Sequence, residues 1–260
     1  MQRIDAHSIN LRLAEAGLIG RRIAPLEIGG TRAWLKDFDQ PSPPEWHGVQ
    51  RALALVSRLR ILRPVPALDG MEGAMNEIAA MQAFREAGER VPHLLWAEGA
   101  RILTSDIGLT IRDQERGASQ AVLTKACLSA AEKLSGIHNR GLVHGRPILR
   151  NMTWDGATVG LIDFEERPTM VMPLETAQAR DVLLFLTSLG RRFDRAFLRK
   201  AFAAYARNSG AEVDRELQRV VRRSTLLLKS PFAKIAASQG RTLSGVIGAL
   251  GALFDTFQES

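Results

Sequence analysis

The chain begins with patterns typical of β-hairpins. Residues 25–38 place the pair Gly29-Gly30 between two short apolar segments, which predicts two strands joined by a tight turn. Residues 93–99 and 100–108 are two further short apolar runs separated at a glycine, and they predict a second hairpin. We therefore expect a small antiparallel sheet in the first half of the chain.

Helical spacing of apolar residues dominates the rest of the pattern. Residues 45–60 combine apolar positions at helical spacing with intervening arginines, which predicts an amphipathic helix with a basic face. Further helices are predicted over 72–87 and 119–138. After Glu175 the pattern is helical almost to the end.

The order of these elements predicts an α+β protein, with strands and helices first and a helical part after them. Two apolar segments, 141–145 and 158–166, predict short buried strands or turns. No long linker, repeat or biased tract separates the elements, so any division of the chain is expected to consist of compact lobes.

Composition supports a globular protein. The 260 residues are 45% hydrophobic and 24% charged, which excludes disordered, collagen-like and coiled-coil classes. The single cysteine, Cys127, allows no internal disulfide, and the first residues lack an apolar leader, so we expect a cytoplasmic protein. The weakly polar run 246–254 is shorter than the roughly 18 to 20 apolar residues of a membrane span.

The net charge favours a polyanionic partner. Thirty-five basic against 28 acidic residues give +7 and an isoelectric point near 10.3, which suits phosphate, nucleic acid or an anionic membrane surface. Nucleic acid is disfavoured, because aromatic residues make up only 6% of the chain and no recognition motif is present. An arginine-rich group in the C-terminal part is either a solvated surface or a face for an anionic membrane or an anionic substrate: Arg191, Arg192, Arg195, Arg199, Lys200, Arg215, Arg219, Arg222 and Arg223.

One stretch carries candidate chemistry. His144 is followed seven positions later by Asn151, and the pair Asp163-Phe164 ends the next apolar segment. This order resembles the catalytic core of the protein-kinase-like phosphotransferases, in which a His-x-Asp-x-x-x-x-Asn loop precedes an Asp-Phe-Gly turn. The resemblance implies ATP and Mg²⁺ as cofactors, with Asn151 and Asp163 as metal ligands, since Mg²⁺ prefers oxygen ligands.

The same resemblance implies nucleotide-binding residues upstream. A strand lysine that holds the phosphates would be Lys36, and a helix carboxylate that orients it would be Glu77. Gly29 and Gly30 would take the place of a phosphate-binding loop, because the sequence contains no G-x-G-x-x-G motif. Asp106 would begin the hinge between two lobes.

Residues 25–165 are most similar to the lipopolysaccharide core heptose kinases. That resemblance rests on a succession of features: a strand with Lys36, a tryptophan-containing basic helix, a turn with proline, and a helix with Glu77 that ends in the sequence FREAG. The interval of 41 positions from Lys36 to Glu77 is longer than in ordinary protein kinases. It implies a bilobal protein-kinase-like fold with a nucleotide-binding lobe over 1–107, a helical lobe over 108–260 and the nucleotide in the cleft between them. The implied acceptor is a hydroxyl, such as a sugar of a glycolipid at the inner face of the cytoplasmic membrane.

Two departures from the family pattern leave the activity open. Arg146 stands where the family has its catalytic aspartate, and an arginine stays charged and cannot accept the acceptor's proton. Glu165 replaces the glycine of the Asp-Phe-Gly turn. Arg146 is therefore a candidate phosphate clamp, and Glu165 or Glu166 a candidate surrogate base. The alternatives are a pseudokinase that acts through binding, a protein Ser/Thr kinase and a small-molecule phosphotransferase.

Three further residues have structural interpretations. His144 is expected to be packed and hydrogen-bonded within its loop, and Cys127 to be a small buried side chain. The kinase resemblance implies that Asp181 braces the loop that begins at His144.

Overall fold

The computed structural model describes residues 5–40, 60–66, 68–229 and 241–259. The described chain combines a small antiparallel sheet and a short two-stranded ribbon with a larger helical part. The α+β class is confirmed. The helix expected over 45–60 lies outside the described residues, apart from Arg60.

The secondary structure elements follow in chain order. The helices are α1 (Ala6–Glu15), α2 (Gly70–Glu86), α3 (Ile111–Gln114), α4 (Gln120–Asn139), α5 (Leu174–Leu189), α6 (Arg195–Ala206), α7 (Ala211–Lys229) and α8 (Arg241–Glu259). The strands are β1 (Ile23–Ile28), β2 (Thr31–Asp37), β3 (Leu94–Glu98), β4 (Arg101–Ser105), β5 (Met152–Trp154) and β6 (Val159–Leu161). Short 3₁₀ turns cover Arg60–Leu62, Leu149–Asn151 and Pro168–Met170.

The chain divides into two compact units. The first unit contains the described residues 5–40, 66, 68–108 and 160–166. The second contains 60–65, 109–159, 167–229 and 241–259. Residues 160–166 thus join the first unit, although most of the sequence before and after them belongs to the second.

The sheet of the first unit has the strand order β1-β2-β4-β3, with all neighbours antiparallel. Both expected hairpins are present, β1-β2 and β3-β4. Successive side chains of a strand point to opposite faces. In β2, Ala33 and Leu35 therefore share one face, and they pack there with α1 and the neighbouring strands in a buried cluster of Ile9, Leu13, Ala24, Leu26, Ala33, Leu35 and Leu103.

Helix α1 begins with a capping box that the sequence analysis did not identify. The Ser8 backbone N–H donates to Asp5 Oδ1 at 2.8 Å, and the Asp5 backbone N–H donates to Ser8 Oγ at 3.2 Å. Both contacts pair backbone donors that a helix start leaves without intrahelical partners. Ile9 and Leu13 then bury one stripe of the helix in the sheet core.

Helix α2 lies close to the end of β2 because of a glycine. A Cβ at Gly73 would stand 2.2 Å from the carbonyl oxygen of Leu68 and 2.7 Å from Phe38 Cδ1. No larger residue fits there without movement of the backbone. Gly73 thus sets how closely α2 approaches Phe38, the residue that follows β2.

The second unit is mostly helical. Its core includes one stripe of α4, on which Cys127 is fully buried, as expected. The segment 141–145 forms a turn and a loop rather than a strand, whereas 158–166 supplies β6.

Membrane-spanning helices are absent from the part of the chain that the structure describes, since none of its helices combines sufficient length and hydrophobicity.

Candidate functional site

Lys36 lies near the end of the central strand β2, where it pairs with Ile23 on one side and Ile102 on the other. Because Leu35 faces the hydrophobic cluster, the alternation of the strand directs Lys36 to the opposite face of the sheet. The residue is only 8% exposed, so its ammonium group requires buried partners.

Glu77 of helix α2 supplies the first partner. Lys36 Nζ donates a hydrogen bond to Glu77 Oε2 at 2.6 Å, across 41 positions of sequence. Glu77 is itself only 5% exposed. The structure therefore brings together the lysine and the glutamate that the sequence analysis paired.

Asp163 supplies the second partner. Lys36 Nζ donates to Asp163 Oδ1 at 2.8 Å, and 127 positions separate the two residues. The turn that carries Asp163 is fixed on α2 by its neighbour Phe164, whose ring packs on Phe84 with centroids 4.7 Å apart. Asn76 Nδ2 also donates to the Phe164 carbonyl oxygen at 3.3 Å. Helix α2 thus positions both Glu77 and the Asp163 turn.

The backbone of Asp163 is unusual. Its φ of +68° makes it the one non-glycine residue with positive φ among those the structure describes. Aspartate tolerates this left-handed conformation better than most residues, yet the conformation is still sparsely populated. Such backbone strain concentrates at functional sites, where packing holds it in place.

Glu165 brings a third carboxylate to Lys36. Its Oε1 lies 2.7 Å from Lys36 Nζ and 3.1 Å from Arg22 Nη2. Arg22 precedes β1, and its Nη1 donates to the Gln40 carbonyl oxygen at 2.6 Å. No sequence motif marks a basic residue at this position, so the role of Arg22 is visible only in the structure.

Burial and charge shift the pKa values of the lysine and of its glutamate partner. Burial works to lower the pKa of Lys36, but Glu77, Asp163 and Glu165 together outweigh it and hold the pKa above its ordinary value. Burial raises the pKa of Glu77 to about 7, and Asp163 and Glu165 add to that rise while Lys36 opposes it. The cluster holds more negative than positive charge around one ammonium group.

This donor set fits a hard divalent cation. Glu77, Asp163 and Glu165 each offer a carboxylate oxygen, and the three oxygens lie within 4.8 Å of one another. Oxygen ligands of this kind suit Mg²⁺, and the ammonium of Lys36 beside them suits a phosphate oxygen. A metal–polyphosphate ligand therefore matches the chemistry of these residues.

Asn151 and Arg146 belong to the second unit. Asn151 is 3% exposed, and its Nδ2 donates to the Arg146 carbonyl oxygen at 3.0 Å. The Arg146 backbone N–H points to His144 Nδ1 at 3.4 Å, and His144 is buried. His144 is therefore packed and hydrogen-bonded within its loop, as expected, and Asn151 closes the same loop.

Asp181 of helix α5 braces this loop, which confirms the expectation for that residue. Its carboxylate accepts the backbone N–H of His144 at 2.8 Å and that of Gly145 at 3.1 Å. His138 Nε2 lies 3.5 Å from Asp181 Oδ2, and His138 Nδ1 is 2.8 Å from the Tyr205 hydroxyl. Tyr205 lies 67 positions from His138 on another helix, and no local pattern in the sequence connects the two residues.

The remaining candidate residues lie away from Lys36. Gly29 and Gly30 form the β1-β2 turn with positive φ values of 58° and 77°, at the opposite end of the hairpin from Lys36. Asp106 follows β4, where its Oδ1 accepts the Gly108 N–H at 2.7 Å. Of the sequence-predicted residues, the structure brings Lys36, Glu77, Asp163 and Glu165 into one cluster and leaves these three outside it.

Much of the arginine-rich group is engaged in ion pairs within the second unit. Arg195 pairs with Asp255, and Arg199 with Glu259. Two further pairs lie along α7, between Arg215 and Glu212 and between Arg219 and Glu216. The positive charge of this surface is therefore partly balanced by neighbouring acids.

Comparison with known proteins does not assign the chain to a family. No protein-family model matches it. An uncharacterized protein of Haemophilus influenzae is 27% identical over 179 residues, which are 66% of this chain and 64% of that protein, so the match spans less than two thirds of the relative.

Two solved structures of Rio2 kinase from Chaetomium thermophilum are similar to the chain. One is the ADP/Mg²⁺-phosphoaspartate complex, 18% identical, with a TM-score of 0.41 and coverage of 98% of this chain and 78% of that one. The other is 20% identical, with a TM-score of 0.36 and coverage of 92% and 70%.

Proposed function

We propose that the protein is an ATP-dependent phosphotransferase that uses Mg²⁺. The single observation that carries the proposal is the cluster in which the buried Lys36 donates through Nζ to both Glu77 and Asp163. A buried lysine held by a helix glutamate, beside an aspartate that can bind a metal ion, is the arrangement that holds nucleotide phosphates in kinases.

Each residue of the cluster has a distinct role in this proposal. Lys36 binds the phosphate oxygens, and Glu77 orients its ammonium group. Asp163 holds the metal ion, whose charge offsets that of the phosphates when it is bound. The assignment of Asn151 as a further metal ligand stays a prediction from the sequence, as do the nucleotide-binding roles of Gly29, Gly30 and Asp106.

The reaction moves one phosphoryl group. The bond between the γ-phosphorus and the oxygen that bridges to the β-phosphorus breaks, a bond to the acceptor hydroxyl oxygen forms, and the hydroxyl proton is released. Arg146 is proposed to bind phosphate oxygens, since a guanidinium group suits them. Glu165 is the candidate acceptor for the proton, with Glu166 beside it.

Thermal unfolding with ATP and Mg²⁺ tests the proposal. At a hundredfold excess over its Kd, a ligand that binds only the folded state adds about 2.7 kcal/mol of stability, which raises Tm by about 5 °C or more. We expect this shift for the wild type and its loss in Asp163→Asn. Lys200→Ala, which removes an exposed lysine of α6, should keep the shift.

Lys36→Met complements this test, with circular dichroism to verify that the variant folds. The absence of any Mg²⁺-dependent shift in the folded wild type would contradict the assignment. An equal shift in Asp163→Asn and the wild type would remove Asp163 from the site.

A pseudokinase is the second candidate function, and Arg146 is the observation that favours it. An arginine at the place of the catalytic aspartate cannot take up the acceptor's proton. Phosphoryl transfer depends mostly on positioning and charge neutralisation, so the substitution alone does not exclude turnover. ATP binding without release of ADP in the presence of any acceptor would favour the pseudokinase.

For the acceptor we propose a sugar hydroxyl of the lipopolysaccharide core, reached at the inner face of the cytoplasmic membrane. The support is the resemblance of residues 25–165 to heptose kinases. ATP labelled in its γ-phosphate should transfer label to core oligosaccharide rather than to protein or to free sugars. Label in protein instead would identify an atypical protein kinase.

A further inference from the structure

Lys36 is surrounded by more carboxylates than its charge can balance. Its Nζ lies 2.6 Å from Glu77 Oε2, 2.8 Å from Asp163 Oδ1 and 2.7 Å from Glu165 Oε1. An ammonium group has three N–H donors. Hydrogen bonds run from it to Glu77 and Asp163, and Glu165 Oε1 forms an ion pair with the same nitrogen.

Glu165 is held in this position from its other side. The oxygen that contacts Lys36 also contacts Arg22 Nη2 at 3.1 Å. The Arg22 side chain is only 11% exposed, and its guanidinium group lies over the Phe38 ring at 5.3 Å. Its Nη1 is engaged by the Gln40 carbonyl oxygen, and Asp69 Oδ1 lies 3.8 Å away. Arg22 therefore anchors Glu165 against Lys36.

This arrangement has a consequence for any phosphate that binds Lys36. A phosphate oxygen needs an N–H of the ammonium group, and Glu165 Oε1 already lies 2.7 Å from that nitrogen, beside Glu77 and Asp163. Phosphate and carboxylate also repel each other at short range, more strongly in a partly buried site than in water. Glu165 thus competes with the phosphate both for the donor and through its charge.

We propose that Glu165 is a competing anion that makes nucleotide binding at Lys36 dependent on a divalent cation. In the absence of a cation, Glu165 holds Lys36 and repels the polyphosphate. A cation offers the carboxylates of the cluster a second positive partner, which frees the ammonium for the phosphate. The inference rests on the proposed function, and it assigns to Glu165 a role other than that of a base.

Equilibrium binding of ATP, measured by calorimetry both in EDTA and in Mg²⁺, tests this role without any turnover. We expect Glu165→Gln to bind ATP in EDTA at least about tenfold more tightly than the wild type, because one of three competing charges is gone. The ratio between the Kd in EDTA and the Kd in Mg²⁺ should therefore also fall. Glu165→Ala serves as a second variant, since a glutamine can still contact Lys36 and Arg22.

A matched control separates this effect from a general change in charge. Glu72→Gln removes one negative charge from an exposed position in the first turn of the same helix that carries Glu77. It should leave both ATP affinities unchanged. Circular dichroism and Tm in the absence of ligand identify any variant that fails to fold.

The outcomes distinguish the inference from the function on which it rests. Wild type that binds ATP in Mg²⁺, with Glu165→Gln and Glu165→Ala no tighter than wild type in EDTA, overturns the inference and leaves the function standing. A loss of turnover in Glu165→Gln without any gain of affinity in EDTA also overturns it and favours the surrogate base. If neither wild type nor the Glu165 variants bind ATP in either condition, both proposals fail.

Discussion

Asp163 combines a strained backbone with a charged partner. Its positive φ of 68° is maintained by the packing of Phe164 on Phe84 and by the hydrogen bond from Asn76 to the Phe164 carbonyl oxygen. The carboxylate of the same residue lies within hydrogen-bond distance of Lys36. An aspartate fits this position for two reasons: its carboxylate contacts Lys36, and its backbone tolerates the left-handed region better than that of most residues.

Substitutions at Asp163 should separate these two contributions. Asparagine and glycine accept a left-handed backbone and alanine does not, so we expect Asp163→Ala to be less stable than Asp163→Asn or Asp163→Gly by about 1 kcal/mol. Urea denaturation of the three variants measures the difference. Equal stabilities of the three would show that the backbone conformation relaxes on substitution.

Glu77 should make stability depend on pH. Its pKa is about 7 in the folded protein against an ordinary value of 4.5, so the folded state holds the proton more tightly than the unfolded state. Glu77 therefore adds up to about 3 kcal/mol to the free energy of unfolding, and this contribution is fully present below pH 4.5. It decreases as pH rises and is lost above about pH 7.

Urea denaturation in EDTA at several pH values between 4.5 and 8 measures this dependence. The difference in unfolding free energy between wild type and Glu77→Gln isolates the contribution of Glu77, because the other titrating groups are common to both. A difference that moves in favour of the wild type as pH rises through this window would contradict the raised pKa.

At the scale of elements, two features bring the cluster together. The alternation of β2 directs Lys36 away from the hydrophobic cluster that holds Leu35. Helix α2 carries Glu77 and also fixes the Asp163 turn through Phe84 and Asn76. The approach of α2 to Phe38 is therefore the element contact on which the geometry of the cluster depends.

Gly73 provides the test of that contact. We expect Gly73→Ala to destabilise the protein by about 1–3 kcal/mol, because its Cβ would meet a backbone oxygen at 2.2 Å. The variant should also weaken ATP binding, since Glu77 lies four residues further along the same helix face.

Gly136→Ala is the matched control within helix α4. A Cβ at Gly136 meets nothing within 4 Å, so this substitution should stabilise the protein by about 0.5–1 kcal/mol. Thermal unfolding of both variants and ATP titration measure the two effects. A Gly73→Ala protein with unchanged stability and affinity would show that α2 does not depend on the close contact.

At the scale of the whole molecule, the single cysteine reports on one unit. Cys127 is fully buried in α4 of the second unit, and burial raises the pKa of its thiol to about 12. Because the thiolate is the reactive form, we expect the native protein to react very slowly with Ellman's reagent at pH 8. The unfolded protein should react with one equivalent of the reagent, since the chain has one cysteine.

The labelling rate under native conditions should then follow the opening of the second unit. Cys127→Ala provides the blank. Rapid stoichiometric labelling of the native protein would contradict the burial of this residue.

The net positive charge of the molecule does not by itself identify a binding partner. The surplus of +7 favours anionic partners in general. In the described part of the second unit, Arg195 and Arg199 are paired with Asp255 and Glu259, which are acids of another helix. The sequence gives the number of charged residues, and only the fold shows which of them form ion pairs.

The periodicity of apolar residues was sufficient to predict the hairpins, most helices and the α+β class, because these elements depend on local spacing. The capping box of α1 was also readable from Asp5 and Ser8, although the sequence analysis did not use it. The spacing of His144, Asn151 and Asp163 pointed to the candidate chemistry, and Lys36 and Glu77 followed from the resemblance alone.

The sequence by itself therefore determined the element types, the candidate residues and the charge of this protein. Only the tertiary structure decided that Glu165 and Arg22 join Lys36, and that Asp163 adopts a left-handed backbone. The physical reason is distance along the chain: 127 positions separate Lys36 from Asp163. Local spacing cannot encode such contacts, which arise when α2 and the Asp163 turn pack on the sheet.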